Sequence, residues 1–127
     1  MKKIVVTGGL GFIGSNLIKL LLSKKYYVIN IDKLSYSSNF YNVKEFKNSN
    51  KYKFIKADLN NKSKIYKVLK KYRPHAIFNL AAETHVDRAI DGPETFIKNN
   101  ILGVFNLLQT FRKFILKNNS CKLIHIS

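Results

Sequence analysis

The sequence predicts an α/β fold: a doubly wound parallel sheet of five strands with helices on both faces. Three features of its 127 residues carry that prediction. Short apolar runs rich in β-branched residues alternate with stretches of helical periodicity. No repeat or low-complexity linker breaks the alternation. A turn with glycines at 8, 9, 11 and 14 joins the first apolar run to the first helical stretch. The length suits one domain, residues 1–127, and 46% hydrophobic residues suffice for one core.

Lys3 to Thr7 is an apolar run without helical spacing, ended by glycine, and predicts a buried strand. Phe12 to Lys24 predicts a helix whose apolar residues at 13, 17, 20 and 21 share one face. Tyr27 to Ile31 and Tyr52 to Ala57 predict the second and third strands, separated by a polar loop with Ser35, Ser37, Ser38 and Asn39. Asn61 to Tyr72 predicts a helix directing Ile65, Val68, Leu69 and Tyr72 inward, with Pro74 past its end. Ala76 to Leu80 predicts the fourth strand. Pro93 opens a long helix running to about Asn118. Its expected sheet-facing stripe is Ile97, Ile101, Val104, Leu108, Phe111 and Ile115. Phe96, Phe105, Leu107 and Phe114 fall outside that stripe and predict either a further covering helix or a subunit interface. A fifth strand begins at Lys122 and is completed by His125, Ile126 and Ser127.

The chain carries 23 basic and 7 acidic side chains, a formal charge of +16. Only Arg73, Arg88 and Arg112 are arginine, and the lysines spread over predicted helix faces and loops. Base readout favours arginine forks concentrated on one element, so a solvated lysine surface is expected rather than a nucleic-acid partner. No run approaches the roughly 18 apolar residues of a membrane span, and the N-terminal run is interrupted by glycines, Asn16 and Lys19. No membrane association and a cytoplasmic location are expected. Cys121 is the only cysteine, which excludes an internal disulfide framework. His75, His85 and His125 show no ligand spacing, so no metal is indicated.

Gly8, Gly11 and Gly14 lie in a turn between strand and helix, where each has a physical task. One permits the tight turn, one lets backbone approach a pyrophosphate, and one lets helix and strand pack closely. The helix N-terminus then offers free N–H groups and the positive end of its dipole to phosphates. Asp32 follows at the end of the second strand, 18 residues beyond Gly14. A carboxylate there can accept both ribose hydroxyls of NAD and repels the extra phosphate of NADP, a preference that Lys33 softens. Together these features define a Rossmann-type fold with NAD as cofactor. Asp58, after the third strand, is placed either to meet the adenine or to serve as a helix-capping aspartate.

The turn Gly8-Gly9-Leu10-Gly11-Phe12-Ile13-Gly14 resembles that of the extended short-chain dehydrogenase/reductase superfamily. Two further stretches narrow the resemblance: Asn30-Ile31-Asp32-Lys33-Leu34-Ser35-Tyr36, and the run from Leu80-Ala81-Ala82-Glu83-Thr84-His85 to Gly92-Pro93. These resemble the nucleotide-sugar dehydratases, the dTDP-glucose 4,6-dehydratase family in particular. The likeness runs over the whole chain but reaches only the first part of that family's length. It implies that Phe12 and Ile13 lie against the pyrophosphate and that Asp32, Lys33, Leu34 and Ser35 hold the adenosine ribose. It implies adenine contacts for Asp58 and Leu59, and a nicotinamide side lined by Leu80, Ala81, Ala82 and Thr84. Thr84 matches a position that also touches the sugar substrate. Asn99 matches a further cofactor contact that is usually threonine, and Ser38 stands where the family commonly has glycine.

The implied chemistry is that of a lyase. NAD oxidises the sugar at C4, water leaves across C5 and C6, and the hydride returns to C6. The family's tyrosine, lysine and acid–base pair would follow Ser127, so no catalytic residue falls within these 127 residues. The expectation is therefore an incomplete NAD-binding domain without its substrate domain, inactive by itself and poorly soluble. Glu83, His85 and Asp87 do not obviously replace the missing groups; His85 is expected to be structural and Arg88 to pair with Asp87. The resemblance further implies a dTDP-glucose substrate for the complete enzyme and a homodimer formed through the long helix 93–118. Another epimerase or dehydratase of the superfamily, or a non-catalytic NAD-binding protein, remains the alternative.

Overall fold

A computed structural model describes residues 1–34, 38–81, 92–118 and 120–126. Five parallel strands form one sheet in the order β3-β2-β1-β4-β5. They are β1 (Lys3–Thr7), β2 (Tyr27–Asp32), β3 (Tyr52–Lys56), β4 (Ala76–Asn79) and β5 (Lys122–His125). The helices are α1 (Phe12–Ser23), α2 (Lys62–Tyr72), α3 (Pro93–Ile97) and α4 (Gly103–Ile115). A 3-10 turn, Phe40–Val43, follows the second strand, and a π-helical turn, Lys98–Leu102, joins α3 to α4. The chain steps outward from β1 through β2 to β3, then returns to lay β4 on the other side of β1. Strand order reverses at the β1–β4 boundary, the place where open α/β sheets form their ligand crevice.

Alternating strand residues divide the core in two. Val5, Ile29, Ile31 and Ile77 pack with Ile65, Val68 and Leu69 of α2 and with Leu107 and Phe114 of α4. Ile4, Val6 and Val28 pack on the other side with Ile18 and Leu21 of α1 and with Tyr52. Helices therefore cover both faces, as the sequence predicts. The central strand β1 is apolar on both sides from Ile4 to Val6 because both sides are covered.

The buried faces of two helices differ from expectation. In α1 the buried residues are Gly14, Ser15, Ile18 and Leu21, whereas Ile13 is 66% and Leu20 51% exposed. In α4 they are Gly103, Leu107, Thr110 and Phe114, while Ile97, Ile101 and Leu108 of the expected stripe stand in solvent. Leu107 and Phe114, expected to be surplus, form the core. In each case the true face is turned by about one residue, roughly 100°. The cause is shared: each buried face includes small residues, Gly14 and Ser15 in α1 and Gly103 and Thr110 in α4, which give no hydrophobic signal. By contrast α2, whose inner face is wholly aliphatic, buries Ile65, Val68 and Leu69 as read from the sequence.

Several boundaries also shift. The long helix is interrupted at the π turn, and its last regular residue is Ile115 rather than Asn118. The fifth strand ends at His125, so Ile126 lies beyond it and Ser127 is outside the described residues. Asp32 closes β2 as its final residue.

Candidate cofactor site

The turn between β1 and α1 is shaped by its neighbours. Gly8 adopts φ +76°, the left-handed region that glycine reaches without penalty. Its N–H donates to the Ile31 carbonyl at 2.8 Å, and a Cβ there would lie 2.8 Å from the backbone of Ala81. A Cβ on Gly14 would lie 2.3 Å from the Gly8 carbonyl oxygen, so α1 can start this close to the turn only with glycine. Gly11 differs: its nearest neighbour would be the Gly8 oxygen at 3.4 Å, an ordinary contact. Among the described residues, nothing else packs against that side of Gly11.

Gly11 also caps α1, and among the described residues no side-chain cap bonds the first-turn N–H groups. Those groups have no partner within a helix, and the dipole adds positive charge there. Phe12 is 77% exposed beside Ile13 at the same end, so two large apolar side chains flank the open amides.

Asp32 lies against this turn. Its Oδ2 accepts the Leu10 N–H at 3.1 Å, and its Oδ1 accepts the Leu34 N–H at 2.9 Å and the Ser38 hydroxyl at 2.7 Å. Glycine turn and carboxylate thus share one site, as the sequence predicts. The carboxylate is buried, and three protein donors already use most of its roughly four lone-pair sites. Leu34 itself has φ +64°, a left-handed conformation unusual for leucine, so the chain leaves β2 under strain. Lys33 directs its ammonium to Asn99 Oδ1, which brings the π turn beside the loop after β2.

The remaining expected residues gather along the same carboxyl edge. Asp58 Oδ1 accepts from the backbone N–H and side-chain amide of Asn60 at 2.9 and 3.2 Å. The cap of α2 is Asn61, whose side chain accepts from the Lys64 N–H, so Asp58 is not the capping residue. Leu59 is buried in the core, with its Cβ near Gly103. Leu80 and Ala81 leave β4 half-buried against Gly8. Asn60 in turn receives the Asn106 amide of α4 at 2.6 Å, fastening the Asp58 loop to that helix. Ser35, Ala82 and Thr84 lie outside the described residues, as do Glu83, His85, Asp87 and Arg88.

Sequence reasoning missed two polar chains beneath these loops. Asn30 accepts the Gly9 N–H at 2.9 Å through Oδ1 and donates through Nδ2 to the Tyr52 hydroxyl at 2.9 Å. Burial pushes the Tyr52 phenol above its ordinary range; the Asn30 bond opposes that shift and the Asp32 charge reinforces it. Across the β1–β4 boundary, Thr7 Oγ1 donates to Asn79 Oδ1 at 2.5 Å, and the Asn79 amide reaches His125 Nδ1 at 3.0 Å. The Ala81 N–H approaches Thr7 Oγ1 at 3.4 Å, tying the loop after β4 to β1. The legible signal for both chains was a polar residue inside an apolar strand, Asn30 in Val-Ile-Asn-Ile and Asn79 at the end of Ile-Phe-Asn.

Sheet order, glycine turn and strand-end carboxylate together define a Rossmann-type α/β protein, with the turn and the carboxylate side by side at the carboxyl edge of the sheet. A family model described as GDP-mannose 4,6 dehydratase matches residues 5–127, and the chain belongs to that family. A dTDP-glucose 4,6-dehydratase of Salmonella typhimurium is 40% identical over 131 residues, covering 98% of this chain and 36% of that protein. The chain thus spans about a third of that curated relative's length. A dTDP-glucose 4,6-dehydratase from Bacillus anthracis, solved in complex with NAD, superposes with a TM-score of 0.85 at 33% identity over 100% of this chain and 37% of its own. A UDP-glucose 4-epimerase from Brucella ovis, also solved with NAD, gives 0.82 at 26% identity over 98% of this chain and 35% of its own. Among the described residues, no helix is long and apolar enough to cross a membrane.

Proposed function

We propose that this chain is the NAD-binding part of a dTDP-glucose 4,6-dehydratase, a lyase that converts dTDP-glucose to dTDP-4-keto-6-deoxyglucose and water. The observation that carries the dinucleotide reading is Gly11. Gly8 and Gly14 are required by the fold, but a side chain at Gly11 would meet only the Gly8 oxygen among the described residues, which leaves room there for a ligand. The uncapped amides at the start of α1 suit a pyrophosphate approaching that space. Asp32, one turn of chain away, has capacity for a ribose hydroxyl and opposes a 2′-phosphate, which favours NAD over NADP.

In this reading Phe12 and Ile13 shield the pyrophosphate, while Asp32, Lys33, Leu34 and Ser35 surround the ribose. Asp58 and Leu59 border the adenine, with the buried Leu59 side chain acting from beneath. Leu80, Ala81, Ala82 and Thr84 line the nicotinamide side, Thr84 also meeting the sugar, and Asn99 reaches the cofactor through its partner Lys33. Bound there, the dinucleotide supplies a hydride acceptor for a sugar hydroxyl. This chain's residues bind and orient it; the groups that move protons belong to the remainder of the family's length.

Calorimetric titration with NAD, set beside urea unfolding, tests the proposal. Gly11→Ala is expected to fold normally and to weaken NAD binding by roughly ten-fold or more, since a methyl group enters the phosphate space. Gly14→Ala is expected to lose stability as well. Unchanged NAD affinity in Gly11→Ala overturns the reading. The epimerase likeness supports a second reading, interconversion of UDP-sugars without loss of water. The higher identity to dehydratases favours the first, and supplying the full-length protein with dTDP-glucose and UDP-glucose separates the two. We also propose a cytoplasmic location, no nucleic-acid or membrane partner, and a homodimer formed through the exposed side of α3 and α4.

A further inference from the structure

We propose that Asn30 is a positioning residue for the dinucleotide phosphates, acting through the Gly9 peptide. The inference rests on the dinucleotide reading of the turn. Asn30 has no exposed surface, and both ends of its amide are engaged. A main-chain N–H can only donate, so the Gly9 contact fixes the amide oxygen toward the turn. The fit is close: a Cβ on Gly9 would lie 2.2 Å from Asn30 Oδ1. Gly9 is therefore glycine because Asn30 stands beneath it.

Asp32, two residues along the same strand face, accepts the next N–H, that of Leu10. The Gly8 N–H goes to Ile31 and the Gly11 N–H to Gly8. Four successive amides are thus held by the protein itself, and the next in line, at the start of α1, are those presented to an anion. Removing the Asn30 oxygen frees the Gly9 peptide to rotate. The amides beyond it then lose their preset direction, and an arriving phosphate must order them at the expense of affinity.

Tyr52 separates positioning from simple stability, because it shares the buried network through Asn30 Nδ2, while the Gly9 N–H bonds the other end of that amide. In the full-length protein, NAD affinity by calorimetry and the urea unfolding midpoint are measured for wild type, Asn30→Ala and Tyr52→Phe. Both variants are expected to lower the midpoint, since each leaves a buried group unpaired. Only Asn30→Ala is expected to weaken NAD binding, by roughly ten-fold or more, with Tyr52→Phe within about two-fold of wild type. If Asn30→Ala does not fold, Asn30→Ser, which keeps a polar group but cannot reach Gly9, takes its place in the same comparison. Equal affinities for the Asn30 variant and Tyr52→Phe overturn the positioning role alone. A wild-type protein that binds no NAD overturns the dinucleotide reading and this inference with it.

Discussion

Asp32 has three protein donors before any ligand arrives, and one of the three is a side chain that can be removed. Ser38 places its hydroxyl 2.7 Å from Oδ1, where it stands in the way of a ribose hydroxyl seeking the same oxygen. A ribose hydroxyl bonding that oxygen competes with the Ser38 hydroxyl for it. Ser38→Ala is therefore expected to tighten NAD binding, by roughly two- to ten-fold for one neutral hydrogen bond. Weaker binding in a titration of that variant would mean that Ser38 orders the loop instead of competing. A second residue-scale prediction concerns pH. Burial pushes the Cys121 thiol up to about 11 from an ordinary 9.0. Between those values the unfolded chain releases this proton and the folded one keeps it, so Cys121 makes stability fall as pH rises through that window and is silent below it. Cys121→Ala should flatten the dependence of the urea midpoint between pH 9 and 11.

At the scale of elements, the helix faces make the sharpest prediction. Leu107 and Leu108 are adjacent leucines on one helix, with 1% and 47% of their surfaces exposed. Leu107→Ala should cost about 2–5 kcal/mol of unfolding free energy, through lost burial and a cavity beside Phe114. Leu108→Ala should change it by less than about 0.5 kcal/mol in dilute protein. Reversed magnitudes would restore the stripe that apolar spacing predicts. That stripe misled because a count of apolar residues is blind to Gly103 and Thr110, as it is to Gly14 and Ser15 in α1. Small residues share the buried face with Ile18, Leu107 and Phe114 and add no apolar signal of their own, so a count of apolar residues places the face one residue off. Where the inner face is aliphatic throughout, in α2 and the strands, periodicity located it correctly. The site was legible for a related reason. Gly8 and Gly14 are demanded by the close approach of strand, turn and helix, and a carboxylate ending an apolar strand stands out, so their spacing carried information. Asn30 announces itself as a polar residue inside an apolar strand, but not that its partner is the Gly9 peptide 21 residues away; Ser38 is one of several polar residues in its loop, and nothing marks it as the one that bonds Asp32.

For the molecule as a whole, two surface properties oppose one another. Ile97, Ile101, Leu102, Phe105 and Leu108 form an exposed apolar stripe along α3, the π turn and α4. A stripe of this kind favours a partner, and two copies meeting about a twofold axis would bury it from both sides. A formal charge of +16 drives copies apart. Salt separates the two effects, because the Debye length shrinks from about 30 Å at 0.01 M to about 10 Å at 0.1 M. The proposed homodimer should therefore strengthen as salt rises over that range, read as a concentration-dependent mass by light scattering. Introducing Ile101→Glu with Phe105→Glu should abolish self-association at every salt concentration while leaving NAD binding intact, since neither residue lies in the turn between β1 and α1. Retention on DNA would respond in the opposite direction, weakening with salt as counterions compete for the lysines. Association that fades as salt is added would assign the lysine surface a binding role and remove the case for a dimer on this helix face.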